Sequence, residues 1–320
     1  MTEGPSSANS FQVWPFRFHF IASESVFFPE GKASNVLRGA FGSIFRKLAC
    51  IPECSEAKSC EIAHQCPYAL VFEPRQQWKG TQGPSGFADW PRPFVFRALH
   101  LDGRRFSRSQ EFYFDLILFE PPAKLLPYFV LVFQQLAEAG LGSSRGRASL
   151  SKVDDISNRA LLYDEHRLIN RDVPGLEFHF DRSSDPIHQL TVKFLTPTEF
   201  KSGGKLVRQP EFSVLLARLR DRISNLRAIY PGGSLDVDFE SLGRAAKQIR
   251  IVNSTLRHVQ VERRSSRTGQ HHSIGGFTGS VLYEGELAPF LPFLHAGEWT
   301  GVGRQTVWGK GSLITSYLNS

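Results

Sequence analysis

Phe212–Tyr230 reads FSVLLARLRDRISNLRAIY, and its spacing decides the fold class. Phe212, Leu215, Leu216, Leu219, Ile223, Leu226 and Ile229 form one stripe at helical spacing, while Arg218, Asp221, Arg222 and Asn225 lie off it. One apolar and one polar face mean a helix laid on a core, and packing explains the stripe without a cofactor. Upstream, Leu190–Leu195 alternates as a strand. Downstream, Ile249–Glu262 reads as one long strand, Gly276–Tyr283 as another and Ala288–His295 as a short helix. A glycine-rich loop, GVGRQTVWGKG, then feeds a last strand.

The first half repeats this order. Residues 11–28 open with strand alternation, and Ala33–Leu48 is helical, with Asn35 as a candidate cap. Phe94–Leu101 and Glu111–Phe119 are strands, and Leu125–Ala139 is a helix stopped by Gly140. The basic loop GLGSSRGR follows. Each half thus runs strand, helix, strand, strand, helix, strand, the order of the ferredoxin-like fold. The expected class is α+β, two tandem ferredoxin-like domains over 1–185 and 186–320, with a cysteine-rich insertion at 50–66 in the first. The GVGR segment is no dinucleotide fingerprint, because no helix opens after it in a βαβ unit.

The 320 residues carry 38 Lys+Arg against 31 Asp+Glu, a net charge of +7, and 41% are apolar. That is a folded-domain composition. The longest apolar stretch, Leu125–Phe133, contains Pro127 and is far short of the roughly 20 residues of a bilayer span. The opening MTEGPSSANS has no basic or apolar signal region. A cytoplasmic protein without membrane contact is the expectation. Most of the charge sits at 244–272, where Arg244, Lys247, Arg250, Arg257, Arg263, Arg264 and Arg267 face one acid, Glu262. Such a cluster suits a polyanion or is a solvated basic face, and the excess of Arg over Lys favours phosphate.

All four cysteines, Cys50, Cys54, Cys60 and Cys66, fall within one stretch that also holds His64. In a reducing compartment such clustering points to metal before disulfide, so a structural zinc is expected there.

The ordered series FLTPTEFK (194–201), RDRISNLRAIY (220–230), ERRSSRTGQHHSIGGFTGSVLYEGEL (262–287) and FLPFLHAGEWTGVGRQTVWGKGSL (290–313) resembles the CRISPR repeat-processing endoribonucleases of the RAMP superfamily. LRGAFGSIFRKLAC (37–50) and CPYALVFE (66–73) extend the resemblance to the first half. The resemblance implies two ferredoxin-like domains that grip CRISPR repeat RNA and cut precursor crRNA without a metal. The ribose 2′-hydroxyl attacks the adjacent phosphate, leaving a 2′,3′-cyclic phosphate and a 5′-hydroxyl. No cofactor is implied for catalysis, and other CRISPR effector subunits are implied as partners. For RNA binding it points to Arg38, Arg263, Ser266, Arg267, Gly301, Gly303, Arg304 and Lys310. The basic character of their surroundings adds Arg145, Arg147, Arg250, Arg257 and Arg264.

The sequence departs from the family at its first helix. Ala33–Leu48 has no histidine, although many members place a catalytic one there. Two arrangements stand open: His271 or His272 acting with His19, or Arg38 and Arg267 holding the phosphate with no histidine acting. A different function also stands beside these, a RAMP subunit that holds crRNA in an effector complex without cutting.

Overall fold

The computed structural model describes residues 9–50, 60–63, 65–74, 91–119, 125–165, 167–169, 173–180, 186–230, 233–264 and 271–317. The chain forms two compact units, Gln12–Leu176 and a second made of Met1–Phe11 with Glu177–Ser320.

The first unit contains β1 (Ser10–Ala22), α1 (Ala33–Ala49), β2 (Phe94–Arg97), β3 (Glu111–Phe119), α2 (Leu126–Ala139), β4 (Ala148–Asp155) and β5 (Ala160–Asp164). Its antiparallel sheet runs β2-β3-β1-β4-β5. The first four of these strands have the ferredoxin-like arrangement. β1 is central: Phe18 pairs with Phe114 on one side and Val153 on the other. Alternation along β1 sends Phe16, Phe18 and Phe20 into the core and leaves Arg17, His19 and Ile21 on the other face. Both helices cover the phenylalanine face. Phe18 meets Phe133 of α2 at 4.6 Å between ring centroids, and Phe41 of α1 lies against the same Phe133 at 5.2 Å. The Asn35 cap is not the one used. α1 starts at Ala33, whose N–H donates to Asp102 Oδ1 at 2.8 Å, so a distant carboxylate satisfies the positive helix end.

The second unit contains β6 (Gln189–Thr198), α3 (Phe212–Ile229), α4 (Phe239–Ala246), β7 (Arg250–Ser254), β8 (Arg257–Val259), β9 (Glu262–Arg264), β10 (His271–Ser273), β11 (Gly276–Glu284), α5 (Leu291–Thr300) and β12 (Leu313–Ser316). Its main sheet runs β7-β11-β6-β12, the same topology, with β8 also paired to β11. The α3 stripe is buried as its spacing requires, with Phe212, Leu215, Leu219, Ile223 and Leu226 fully covered. The expected single strand over Ile249–Glu262 is broken into β7, β8 and β9. The pairing of β7 with β11 slips between Ile251 and Asn253. Beyond it, Thr255 N–H donates to Ser280 O while Gly279, at φ 119°, lies against the Thr255 carbonyl. Only glycine permits that approach without strain.

Candidate nucleic-acid interface and cleavage residues

The Arg-rich window folds as a hairpin. β9 pairs with β10 so that Arg263 lies opposite His272 and Arg264 opposite His271. Two arginines and two histidines are thereby joined in register on neighbouring strands. Ser266 and Arg267, in the connection between them, lie outside the described residues.

His19 belongs to the other unit, on the face of the first sheet away from the helices. Its Nε2 is 2.9 Å from Asp154 Oδ2, which Lys152 Nζ also approaches at 3.1 Å. Partial burial, followed by the Lys152 charge, pushes the His19 imidazole below its ordinary range against the pull of Asp154. A neutral imidazole can accept a proton. Around it, Arg17 makes a two-pronged ion pair with Asp115, at 2.7 and 3.0 Å. The Arg17 guanidinium lies 4.1 Å from the Tyr113 ring centroid, and His100 stacks on Tyr113 at 4.4 Å. Arg38 is on α1, across the sheet from His19, with its guanidinium 4.3 Å from the Phe72 ring centroid. The fold therefore does not gather His19 and Arg38 at one point.

Arg145 and Arg147 lie in the loop after α2, both exposed. Arg147 Nε donates to Glu24 Oε1 at 2.8 Å, and that contact holds the Glu24 carboxyl below its usual range. The loop's glycines approach protein backbone: a Cβ on Gly146 would sit 2.2 Å from Ser25 O. The second glycine loop behaves alike. A Cβ on Gly311 would lie 1.9 Å from Val302 O, and one on Gly303 would lie 2.6 Å from Glu199 O. Gly301 takes φ 68°, a left-handed turn position. Arg304 is paired to Glu199 at 2.6 Å, and Lys310 is buried. Arg250 is paired to Glu284, whose carboxyl is held low first by Arg250 and then by Gln189. Arg257 is exposed on β8.

These acid partners were not readable in the sequence, because Glu24, Glu199 and Glu284 lie far from the arginines they meet. The polar cluster of Arg17, Tyr113, Asp115 and Asp154 was also missed. Its one sequence signal is the alternation of β1, which puts Arg17 and His19 on the same face.

Of the cysteines, Cys50 and Cys60 are half-buried and Cys66 is buried, its Sγ 3.9 Å from Ala49 O. Cys54 and His64 lie outside the described residues. Among the described residues no group of three metal-ligating side chains converges. No helix among them is long and apolar enough to cross a membrane.

Residues 192–313 match the family model of the CRISPR-associated endoribonuclease Cas6. Residues 11–173 match the AF_1859_N model, described as an N-terminal domain. No curated protein matches the sequence. Thermus thermophilus Cas6 (TTHB231) is structurally similar at a TM-score of 0.54 and 17% identity, over 96% of this chain and 99% of that one. Its product complex gives 0.53 at 18% identity, over 95% and 99%. A chain from a partial Cas6-RT-Cas1–Cas2 complex gives 0.57 at 11% identity, over 96% of this chain and 46% of that one. At these identities the structural likeness establishes the shared fold, the tandem ferredoxin-like pair. The family match thus falls on the second unit, whose residues 192–313 are similar to the CRISPR-associated endoribonuclease Cas6.

Proposed function

We propose that the protein cuts precursor crRNA within its repeat without a metal ion and retains the mature crRNA. The match of residues 192–313 to the Cas6 endoribonuclease family carries this reading. In the proposed reaction a base takes the proton from the ribose 2′-hydroxyl. The 2′-oxygen bonds to phosphorus, the bond to the 5′-oxygen breaks, and an acid returns a proton to that oxygen. His19, His271 and His272 are the imidazoles proposed for the two proton transfers. The depressed pKa of His19 suits the base. In the alternative arrangement, Arg38 and Arg267 are proposed to hold the phosphate and steady the phosphorane charge with no histidine acting. Arg145, Arg257, Arg263 and Arg264 are proposed to hold the phosphate backbone, together with the two glycine loops.

The proposed partners are CRISPR repeat RNA, mature crRNA and other Cas subunits. Neighbours of the same fold include a Cas6 product complex and a Cas6-RT-Cas1–Cas2 complex. Cys50, Cys54, Cys60 and Cys66 are proposed to hold one structural zinc, which metal analysis of the purified protein tests.

The deciding assay incubates a repeat RNA with the protein in EDTA, beside a copy with a 2′-deoxyribose at the cut. One cut that the deoxy copy abolishes supports the mechanism, and a requirement for a divalent ion overturns it. The absence of histidine from Ala33–Ala49 favours a second reading, a subunit that holds crRNA without cutting. Tight binding with no product would select it.

A further inference from the structure

Among the described residues β7 is the outermost strand of the second unit's sheet, so one row of its backbone groups has no described strand partner there. Within it, Ile251 pairs with Tyr283 and Asn253 with Leu282, which leaves Val252 as an extra, bulged residue. A bulge re-aims its side chain, and Val252 is 48% exposed. Arg208 and Gln209 face this stretch across a groove of about 550 Å³ whose wall continues through Asn253, Ser254 and Leu256. Asn253 Oδ1 accepts from the Ser254 N–H at 2.8 Å, which keeps its amide nitrogen as a donor.

Further cations flank the groove residues in sequence. Lys201 and Lys205, on the hairpin strands Phe200–Ser202 and Lys205–Val207, are exposed beside Arg208 in sequence, and Arg257 follows Leu256. Among the described residues none of these four cations has an ion-pair partner, unlike Arg147, Arg250 and Arg304. The groove thus offers the unneutralised Arg208 for phosphate, amide and hydroxyl groups for base edges, and apolar side chains for base faces. Base edges and faces are free together only in unpaired strands.

We infer that this groove holds a single-stranded stretch of RNA, at a site separate from the β9–β10 hairpin. The inference rests on the RNA reading above. Arg208 and Arg257 contact phosphates, Gln209 and Asn253 contact base edges, and Val252 lies against a base.

The test compares the full-length protein with an R208A/Q209A/N253A variant and with V252E. The probes are an unstructured oligouridine and a blunt RNA duplex, each titrated at several salt concentrations. The oligouridine should bind the variants about tenfold more weakly, with the salt slope of R208A/Q209A/N253A reduced by about 0.7 for one lost phosphate contact, while duplex binding stays unchanged. Photo-cross-linking of the wild type to 4-thiouridine RNA should label peptides spanning 208–209 or 251–256, which keeps the test independent of how the variants fold. Unchanged oligouridine affinity, equal losses on both probes, or cross-links confined to other segments would overturn the groove assignment and leave the RNA reading standing. If the wild type does not bind oligouridine, the groove assignment falls, while the repeat-RNA assay above decides the RNA reading separately.

Discussion

His19 Nε2 lies 2.9 Å from the Asp154 carboxylate, and Lys152 reaches the same oxygen from its own strand at 3.1 Å. The imidazole is therefore set between an anion that favours its charge and a cation, with burial, that opposes it. The opposing pair wins.

This balance fixes how cleavage responds to pH if His19 is the base. The acid limb of the rate profile should fall below the ordinary histidine value of about 6.5. Lys152→Met should move that limb upward and Asp154→Asn should move it downward. His19→Ala should lower the cleavage rate by roughly a hundredfold or more with RNA affinity unchanged. Single-turnover cleavage over a pH series checks all three, and a limb that ignores Lys152 and Asp154 removes His19 from the base role.

The same shift has a stability consequence of definite sign. The folded-state pKa of His19 is below its unfolded value, so the folded chain binds fewer protons there. Its stabilising contribution is present above the unfolded pKa and is lost as pH falls through the folded one. Urea midpoints between pH 7.5 and 5 should fall, and His19→Gln should flatten part of that slope.

Glu199 neutralises Arg304 at the glycine loop. Glu199→Gln should release the guanidinium, tighten RNA binding several-fold at low salt and steepen the salt dependence by up to about 0.7 in slope. Fluorescence anisotropy across a salt series reads both. No change would mean that Arg304 does not face the RNA.

Two glycines should respond oppositely to alanine. A Cβ at Gly311 would meet Val302 O at 1.9 Å, on a residue with φ 69°, so Gly311→Ala should cost about 1–3 kcal/mol. Gly39 lies within α1 with open space around it, so Gly39→Ala should stabilise by about 0.5–1 kcal/mol. Chemical denaturation distinguishes them.

Phe41 stacks or crosses with Phe45, Phe72, Phe94, Phe96, Phe129 and Phe133 and is fully buried. Phe41→Ala should destabilise the first unit by about 3–5 kcal/mol, measured by its unfolding transition.

The repeated strand–helix order was legible because apolar periodicity is local. The stripe from Phe212 to Leu226 needs only its own spacing to show that it is helical and which face is buried. The break between β7 and β8 was not legible, since it depends on Gly279 and Ser280 of β11 meeting Thr255. The short helix α4 was missed for lack of length, although Asp238 caps it through the Ser241 N–H at 2.9 Å. The local charge count is incomplete in a similar way. Arg250 counts toward the basic window, yet its neutralising partner Glu284 lies outside that window, on β11. Candidate site residues could be picked by type, but their pairing is set by contacts across the fold.

The central place of β1 also constrains how the chain can mature during synthesis. Phe18 completes its two pairings only with Phe114 and Val153. Just before it, Asn9 accepts from the Phe180 and Asp236 N–H groups at 3.0 and 2.9 Å. A growing chain must therefore keep β1 waiting, its phenylalanines unburied, until β4 has emerged, and Asn9 waits longer still. Such long-range closure is slow and leaves an aggregation-prone strand exposed to the cell's folding helpers.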